Sequence, residues 1–377
     1  MGKHLVLVGG GHAHLTVLTH LGCYVGRGHR VTLISPCGYH YYSGMGPGML
    51  SGCYEPRQVR FNIRRMVQER GGQFIETSVT AVDPAAQKLY LDNDAPVSYD
   101  ITSFNVGSVV PTAELGATDE HIFAVKPVIN LCKARNLILR QTSKGITRVV
   151  VAGGGPAGVE IAANAWKLLN ENGTTPAVTL VAGNHLLRGV PARAKHLAVA
   201  SLAARGITVL EGTRVHSFEN RCAALTDGRS IPFDFAFVAV GVRPPALFRE
   251  SGIAVGQDGG MLVNGYLQST AHPQLFGGGD CITVEGPTVA KVGVHAVRQN
   301  PILKHNLQVA LDGGEKKRFV QTPNYMLIMN MGDNKGIMWR QGLVLNGGLA
   351  FLLKDFIDRR FMKKFQVSGE LDDFSGP

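Results

Sequence analysis

The chain has 377 residues, 45% of them apolar and 18% charged, with 38 lysines and arginines against 28 aspartates and glutamates. Length and apolar content together fill two or three globular domains and exclude a disordered or fibrous chain. The net charge of +10 asks for an anionic partner or surface, but no zinc-ligand spacing, helix-turn-helix signal or basic stretch interleaved with aromatics accompanies it, so nucleic acid is not expected.

In chain order, "HLVLVGGGHAHLTVLTHL" (residues 4–21) reads as a buried strand, a glycine-rich turn and a helix. The strand follows Lys3 directly and leaves no room for a secretory apolar region, which makes a cytoplasmic location the expectation. "RVTLIS" is the next strand, and "PCGYHYYSGMGPGML" should be an ordered loop facing a ligand. "QVRFNIRRMVQERGG" predicts a short extended piece and a helix, "QFIETSVTAVDPAAQKLYLD" a hairpin, and "SYDITSFNVGS" a strand turning at Gly107.

"VVVAGGGPAGVEIAANA" (residues 149–165) then repeats the opening design, with a helix from about Pro156. A strand "AVTLVA", a helix near residues 194–204, the buried strand "FDFAFVAVGVRPP" turning at Gly241, the strand "QLFGGGDC" and the helix "KVGVHAVRQNPILKHNL" follow. No apolar run approaches about 18 residues, so no membrane-spanning helix is expected. The last segment, "GGLAFLLKDFIDRRFMKKF", places Leu349, Leu352, Leu353, Phe356 and Ile357 on one helical face. Phe361 and Phe365 add apolar surface, Arg360 and Lys363 project over the stripe, and Lys354, Arg359 and Lys364 complete a basic set. Such a helix suits an anionic membrane surface, because basic side chains snorkel while aromatics enter the interface; packing inside the protein is the alternative.

The repeated design carries a definite chemistry. Glycines after a buried strand permit a sharp turn with close backbone approach, and the helix that follows aims its free N–H groups and positive dipole end at whatever lies over the turn. A pyrophosphate fits there. Gly153, Gly155 and Gly158 fill all three positions of the dinucleotide fingerprint. In the first copy Gly9 and Gly11 are present, but His14 stands at the third position, and a wider spacing of helix and strand is expected.

Taken together, the two turns, "NVGS" (residues 105–108), "VGVRPP" and "LFGGGD" resemble the two-dinucleotide-domain flavoprotein superfamily, the pyridine nucleotide-disulfide oxidoreductase-like proteins, over nearly the whole chain. "YSGMGPG" (residues 42–48), the "VRQNP" helix and "LLKDFIDRRFMKKF" make the chain most similar to type II NADH:quinone oxidoreductase-like proteins, including the flavoprotein domain fused to selenide, water dikinase. The resemblance implies an α/β fold of two Rossmann-like dinucleotide-binding domains with β-rich insertions and a C-terminal helical membrane-contact segment. Residues 1–115 and 258–310 would bind FAD, 116–257 would bind NADH or NADPH, and 311–377 would meet the quinone and the inner face of the cell membrane. A homodimer is left open.

The same resemblance assigns residues. Gly9, Gly11, His12, Ala13, Ser35, Ser43, Gly44, Gly107, Ser108, Gly279, Asp280 and Val292 would surround FAD, with Asp280 on the ribityl and pyrophosphate side and the helix from Val292 aimed at the flavin's pyrimidine edge. Gly153, Gly155, Pro156, Ala157, Gly158 and Gly241 would hold the nicotinamide nucleotide. Glu160 and Gln299 are the candidate catalytic residues, the first for a carboxamide contact or a proton moved toward quinone, the second lining the quinone end of the flavin. A helix-capping carboxylate and an exposed helical glutamine are their bland readings.

Departures from the family pattern are informative. Ser35 and Ala182 stand where a carboxylate ordinarily binds ribose hydroxyls, which removes the feature favouring NADH and makes His185, Arg188, Arg193 or Lys195 candidate acceptors of a 2′-phosphate, a solvated basic face being the alternative. Cys23, Cys37, Cys53, Cys132, Cys222 and Cys281 offer no closely spaced redox pair, and nothing after Cys281 supplies the late thiol of sulfide:quinone oxidoreductases. Cys281 is expected to pack beside the cofactor. His12 and His14 lack the companions of a metal site, so no metal is expected; His12 suits a hydrogen bond to a phosphate or flavin oxygen and His14 the core. A soluble FAD reductase with another acceptor, a sulfide:quinone oxidoreductase-like enzyme and a non-catalytic redox sensor are the alternatives.

Overall fold

Two five-stranded parallel sheets organise the chain, as seen in a computed structural model that describes residues 2–373 apart from 93–94, 143, 288–289 and 323. The first sheet has the order Gln73–Ile75, Arg30–Ile34, His4–Val8, Ile101–Phe104, Leu275–Gly277. The second runs Thr208–Leu210, Thr175–Val181, Ile146–Ala152, Phe235–Val238, Ile122–Ala124. His4–Val8 and Ile101–Phe104 are buried at every position, as are Phe235–Val238 and the last four residues of Ile146–Ala152, which is what strands covered on both faces require. In each sheet the chain moves outward in one direction from a central strand, His4–Val8 or Ile146–Ala152, and later returns to that strand's other side, so a crevice opens at its carboxyl end.

The two halves are alike in their insertions as well. An antiparallel meander, Val79–Asp83, Lys88–Leu91 and Val97–Ser98, precedes Ile101–Phe104, and another, Val215–Glu219, Cys222–Leu225 and Ser230–Pro232, precedes Phe235–Val238. The expected hairpin therefore lies one step further along, because Gln73–Ile75 joins the parallel sheet. The glycine-rich segment expected as a loop is more regular than that. Tyr39–Tyr41 pairs with Arg60–Asn62, and Gly46–Leu50 is a short buried helix whose Met49 and Leu50 are wholly enclosed.

The largest difference from expectation is at the C-terminal end. A three-stranded antiparallel sheet, Leu327–Asn330, Gly336–Arg340 and Leu343–Gly347, precedes the helix Gly348–Phe365. That helix buries Lys354, Asp358, Met362 and Phe365, and Phe361 stacks on Tyr42 with ring centroids 4.7 Å apart. The expected apolar stripe is on the outside: Leu349 is 81% exposed, Leu352 61% and Phe356 62%, with Leu343 and Leu345 exposed beside them. Lys354, grouped with the basic set, is buried and paired with Asp358 at 2.6 Å. Beyond the helix the chain returns to the strand Arg60–Asn62, where Glu370 accepts the N–H of Asn62 at 3.1 Å and Asp373 pairs with Arg60 at 3.3 Å. No helix among the described residues is long and apolar enough to cross a membrane.

Candidate active site

The first glycine turn is shaped by what lies beneath it. Gly9 has φ +80°, and a Cβ there would come within 2.5 Å of the Asn105 carbonyl oxygen; at Gly11 it would meet Asn105 Oδ1 at 2.3 Å. Only glycine permits that approach. Asn105 then ties three segments together, its Oδ1 accepting from the Ala13 N–H at 2.9 Å and its Nδ2 donating to the Gly278 carbonyl at 2.5 Å. Ala13, expected in the phosphate cradle, thus gives its N–H to the protein. His14 is fully buried and donates from Nδ1 to the Gly9 carbonyl at 2.6 Å, while Nε2 accepts from Ser103 Oγ at 2.9 Å. Desolvation lowers it to about 4, so it is neutral. The extra bulk has a structural consequence: the segment after the turn starts as the single 3-10 turn His12–His14 and continues as two five-residue helical pieces.

His12 faces sideways. Its Nδ1 lies 3.0 Å from His40 Nε2, its ring packs with Tyr42 and Phe361, and burial lowers it to about 4. Nε2 is buried without a partner among the described residues, leaving one ring nitrogen for a bound group. Opposite the turn, Ser108 Oγ donates to Asp280 Oδ2 at 2.9 Å, and Lys126 Nζ reaches both, at 2.9 Å to Ser108 and 2.6 Å to Asp280. Gly107, φ +72°, has open space where a side chain would project. Gln299 is buried and its Oε1 accepts the Gly279 N–H at 2.6 Å, which fixes the turn that carries Asp280. Val292 caps the helix Gly293–Asp312, and Ser43 Oγ would lie 3.3 Å from a Cβ on Gly293, so the 42–45 segment meets that helix at its first turn. Ser35 is buried and bonded through its backbone N–H to Ile75. Glycine clearance, an orphaned imidazole nitrogen and a helix N-terminus around one crevice fit FAD.

The second turn is plainer. Gly153 would strike the Ala239 carbonyl at 2.2 Å, and Gly158 the Gly153 carbonyl at 1.8 Å, so the helix Pro156–Glu171 starts in contact with its strand. Gly155 and Gly241 have open space above them. Ala157 is exposed at the mouth. The two sites are joined directly, since Val109 and Arg243, just past Gly107 and Gly241, exchange backbone hydrogen bonds of 2.8 and 2.9 Å.

Glu160 leaves the second helix toward the C-terminal sheet and accepts the Asn330 N–H at 2.7 Å. Desolvation raises its carboxyl to about 7, against the opposing field of Lys354. Lys354 Nζ donates to the Gly44 carbonyl and to Asp358, each at 2.6 Å, and Tyr42 donates to Asp358 at 3.0 Å. Glu160 therefore lies within the field of Lys354 and Asp358, which with Tyr42 and Gly44 form a bonded cluster on the inner face of the final helix. Lys126, His40, Lys354 and Asp358 were missed by the sequence reading. For the last pair the signal was present in their i, i+4 spacing.

Comparison with known proteins gives the same picture. The family model for pyridine nucleotide-disulphide oxidoreductase matches residues 3–299. The chain is 24% identical over 320 residues to the external alternative NAD(P)H-ubiquinone oxidoreductase B2 of Arabidopsis thaliana mitochondria, covering 75% of this chain and 54% of that protein. It spans about half the length of that plant relative. Among solved structures, NDH2 from Plasmodium falciparum in complex with NADH superposes with a TM-score of 0.78 at 15% identity, over 97% of this chain and 99% of that one. The sulfide:quinone oxidoreductase of Aquifex aeolicus gives 0.77 at 16% identity, over 97% and 92%.

Proposed function

The chain belongs to the pyridine nucleotide-disulphide oxidoreductase family, an NAD(P)H-linked flavoprotein group consistent with FAD and NADH or NADPH here, and on that premise we propose that it is an NAD(P)H:quinone oxidoreductase. The observation that carries the proposal is the pair of matching glycine turns, one on each parallel sheet, joined through Val109 and Arg243 and flanked by the Glu160 cluster. FAD, when bound, supplies the two-electron chemistry. Gly9, Gly11, Gly107, Ser108 and Asp280 would hold it, and Gly153, Gly155, Gly158 and Gly241 would seat the nicotinamide nucleotide. With its carboxyl near 7, Glu160 is poised to give and retake a proton at neutral pH, serving the reduction of the quinone. Lys354, anchored by Asp358 and Gly44, keeps a positive charge beside it.

The disulphide of the family's name has no part in this reading. All six cysteines are free, and burial pushes the Cys281 thiol up to about 11, which leaves it inert. Leu349, Leu352 and Phe356, beside exposed Arg359, Arg360, Lys363 and Lys364, support docking on an anionic leaflet, from which a lipid-soluble acceptor reaches the cluster behind the same helix. The test is anaerobic mixing of the yellow protein with NADH or NADPH, followed by a quinone analogue. Bleaching and then recovery is the expected result; absence of bleaching by either donor overturns the proposal, and bleaching without recovery removes the quinone.

A further inference from the structure

The strand order that places the pyrophosphate on the second turn also places the adenosine. Beyond Ile146–Ala152 lies Thr175–Val181 and then Thr208–Leu210, so the ribose of a dinucleotide seated at Gly153 falls over the residues that end Thr175–Val181. Those residues are Ala182 and Gly183. A Cβ at Gly154 would strike the Ala182 carbonyl at 2.3 Å, and the Leu187 N–H donates to the Gly154 carbonyl at 2.7 Å, so this corner closes directly on the glycine turn. It carries no carboxylate. Glu211, after Thr208–Leu210, is committed to the loop: it accepts the Leu186 N–H at 2.5 Å and pairs with Lys195 at 3.2 Å, and these contacts hold its carboxyl below its ordinary range.

Arg214 comes to the same corner from the segment between Thr208–Leu210 and Val215–Glu219. Gly183 and Thr213 form a bridge, with the Gly212 N–H on the Gly183 carbonyl at 2.8 Å, and this sets the next residue alongside. A Cβ on Gly183 would lie 3.7 Å from Arg214 Cγ and 3.8 Å from its Nε. The Arg214 backbone is held at both ends by Thr226, through N–H to Oγ1 at 3.1 Å and carbonyl to the Thr226 N–H at 2.9 Å. Its side chain is exposed and has no ion-pair partner among the described residues, while Lys195 is already paired. His185 and Arg188 are exposed on the same loop.

A guanidinium fixed at its stem, free at its head and adjoining a ribose position without an acid suits a dianionic group, since two parallel N–H donors match two phosphate oxygens. We infer that Arg214, with the bare Ala182–Gly183 corner, makes the second site selective for the nicotinamide nucleotide that bears a 2′-phosphate. This rests on the reading of the second turn as a nicotinamide nucleotide site. The acceptor expected from sequence among His185, Arg188, Arg193 and Lys195 is thereby moved to a residue about thirty positions beyond Ala182.

The test is calorimetric titration of the flavin-loaded full chain with adenosine 2′,5′-bisphosphate and with 5′-AMP. The bisphosphate is expected to bind about 10- to 100-fold more tightly, the range of one or two charge-assisted hydrogen bonds. Arg214→Glu should abolish that ratio and Arg214→Lys retain part of it, with the NADPH-to-NADH preference in flavin reduction moving in parallel; the position is exposed, and unchanged flavin absorbance checks that each variant folds. Equal binding of the two ligands, or a ratio untouched by Arg214→Glu, overturns the inference and leaves the second turn a dinucleotide site. Binding of neither ligand overturns both.

Discussion

The two glycine turns begin with the same backbone and diverge at one position. Gly11 and Gly155 take nearly identical conformations ahead of their helices, at φ −65°, ψ 178° and φ −78°, ψ 176°. Where the second turn has Gly158 pressed on its strand, the first inserts His14 and stitches helix to sheet with two hydrogen bonds. One outcome is a 16-residue helix against two five-residue pieces. Another concerns the residue two places on: Glu160 points to the C-terminal cluster, whereas the matching position of the first copy holds Thr16, whose backbone N–H is taken by Asn300 at 2.7 Å. The same local design thus yields one turn closed against Asn105 and one left open above Gly155.

The sharpest way to break this comparison is to fill the open turn. Gly155→Val introduces a side chain into free space at an ordinary φ, so the protein should fold with unchanged denaturation midpoint yet lose flavin bleaching by NADH and NADPH altogether. Gly9→Val, at φ +80° over the Asn105 carbonyl, should instead give a destabilised, colourless protein. If both variants stayed yellow and reducible, the turns would not be nucleotide cradles. Next in size is Glu160→Gln, expected to slow reoxidation by quinone about 100-fold while nucleotide reduction is kept, as loss of a general acid does. Thr16→Ala, its counterpart, should change neither phase in the same stopped-flow traces.

His14→Gly, which makes the first turn resemble the second, should cost about 3 to 5 kcal/mol in chemical denaturation, from a buried cavity and the loss of partners for Ser103 and Gly9. Gain of stability would mean that the imidazole is a burden and not a stitch. The smallest effect is one of pH. His12 and His14 are lowered from 6.5 to about 4, so the unfolded chain takes up protons first and stability falls as pH drops from 6.5 toward 4, by at most about 3 kcal/mol for each. Glu160 runs the other way. Its carboxyl is raised from 4.5 to about 7, so the folded chain keeps the proton longer and stability declines as pH rises through that window. Denaturation at a series of pH values, with His14→Gly and Glu160→Gln, separates the two slopes.

Both turns were legible because a buried strand, spaced glycines and a helix lie within about twenty residues of each other, and local backbone geometry needs nothing from afar. The burial of His14 followed from its place in that pattern. Long-range pairings were not legible. Lys126 meets Asp280 across 154 residues, and Glu160 meets Asn330 across 170, distances at which no spacing rule operates. The sheet from Leu327 to Gly347 was hidden for another reason: its strands are short, rich in methionine and glycine, and partly solvent-facing, so neither alternation nor a buried run marks them. Residue spacing groups Leu349, Leu352, Leu353, Phe356 and Ile357 on one face of the final helix without saying whether that face packs or lies outside, and the buried Lys354–Asp358 pair on its inner face is not legible because charge alone does not reveal a buried partner.

The first sheet draws its edge strand from Leu275–Gly277, and the neighbouring strand Arg60–Asn62 is fastened by Glu370 and Asp373, whereas all five strands of the second sheet lie between residues 122 and 238. On the ribosome, therefore, the unit encoded in the middle is complete while the one encoded at the start still waits for its last pieces, and domains close as units during synthesis. Assembly of the first unit, and of any group it holds, therefore follows closure of the second, once residues 275–277 and 370–373 have joined the early strands.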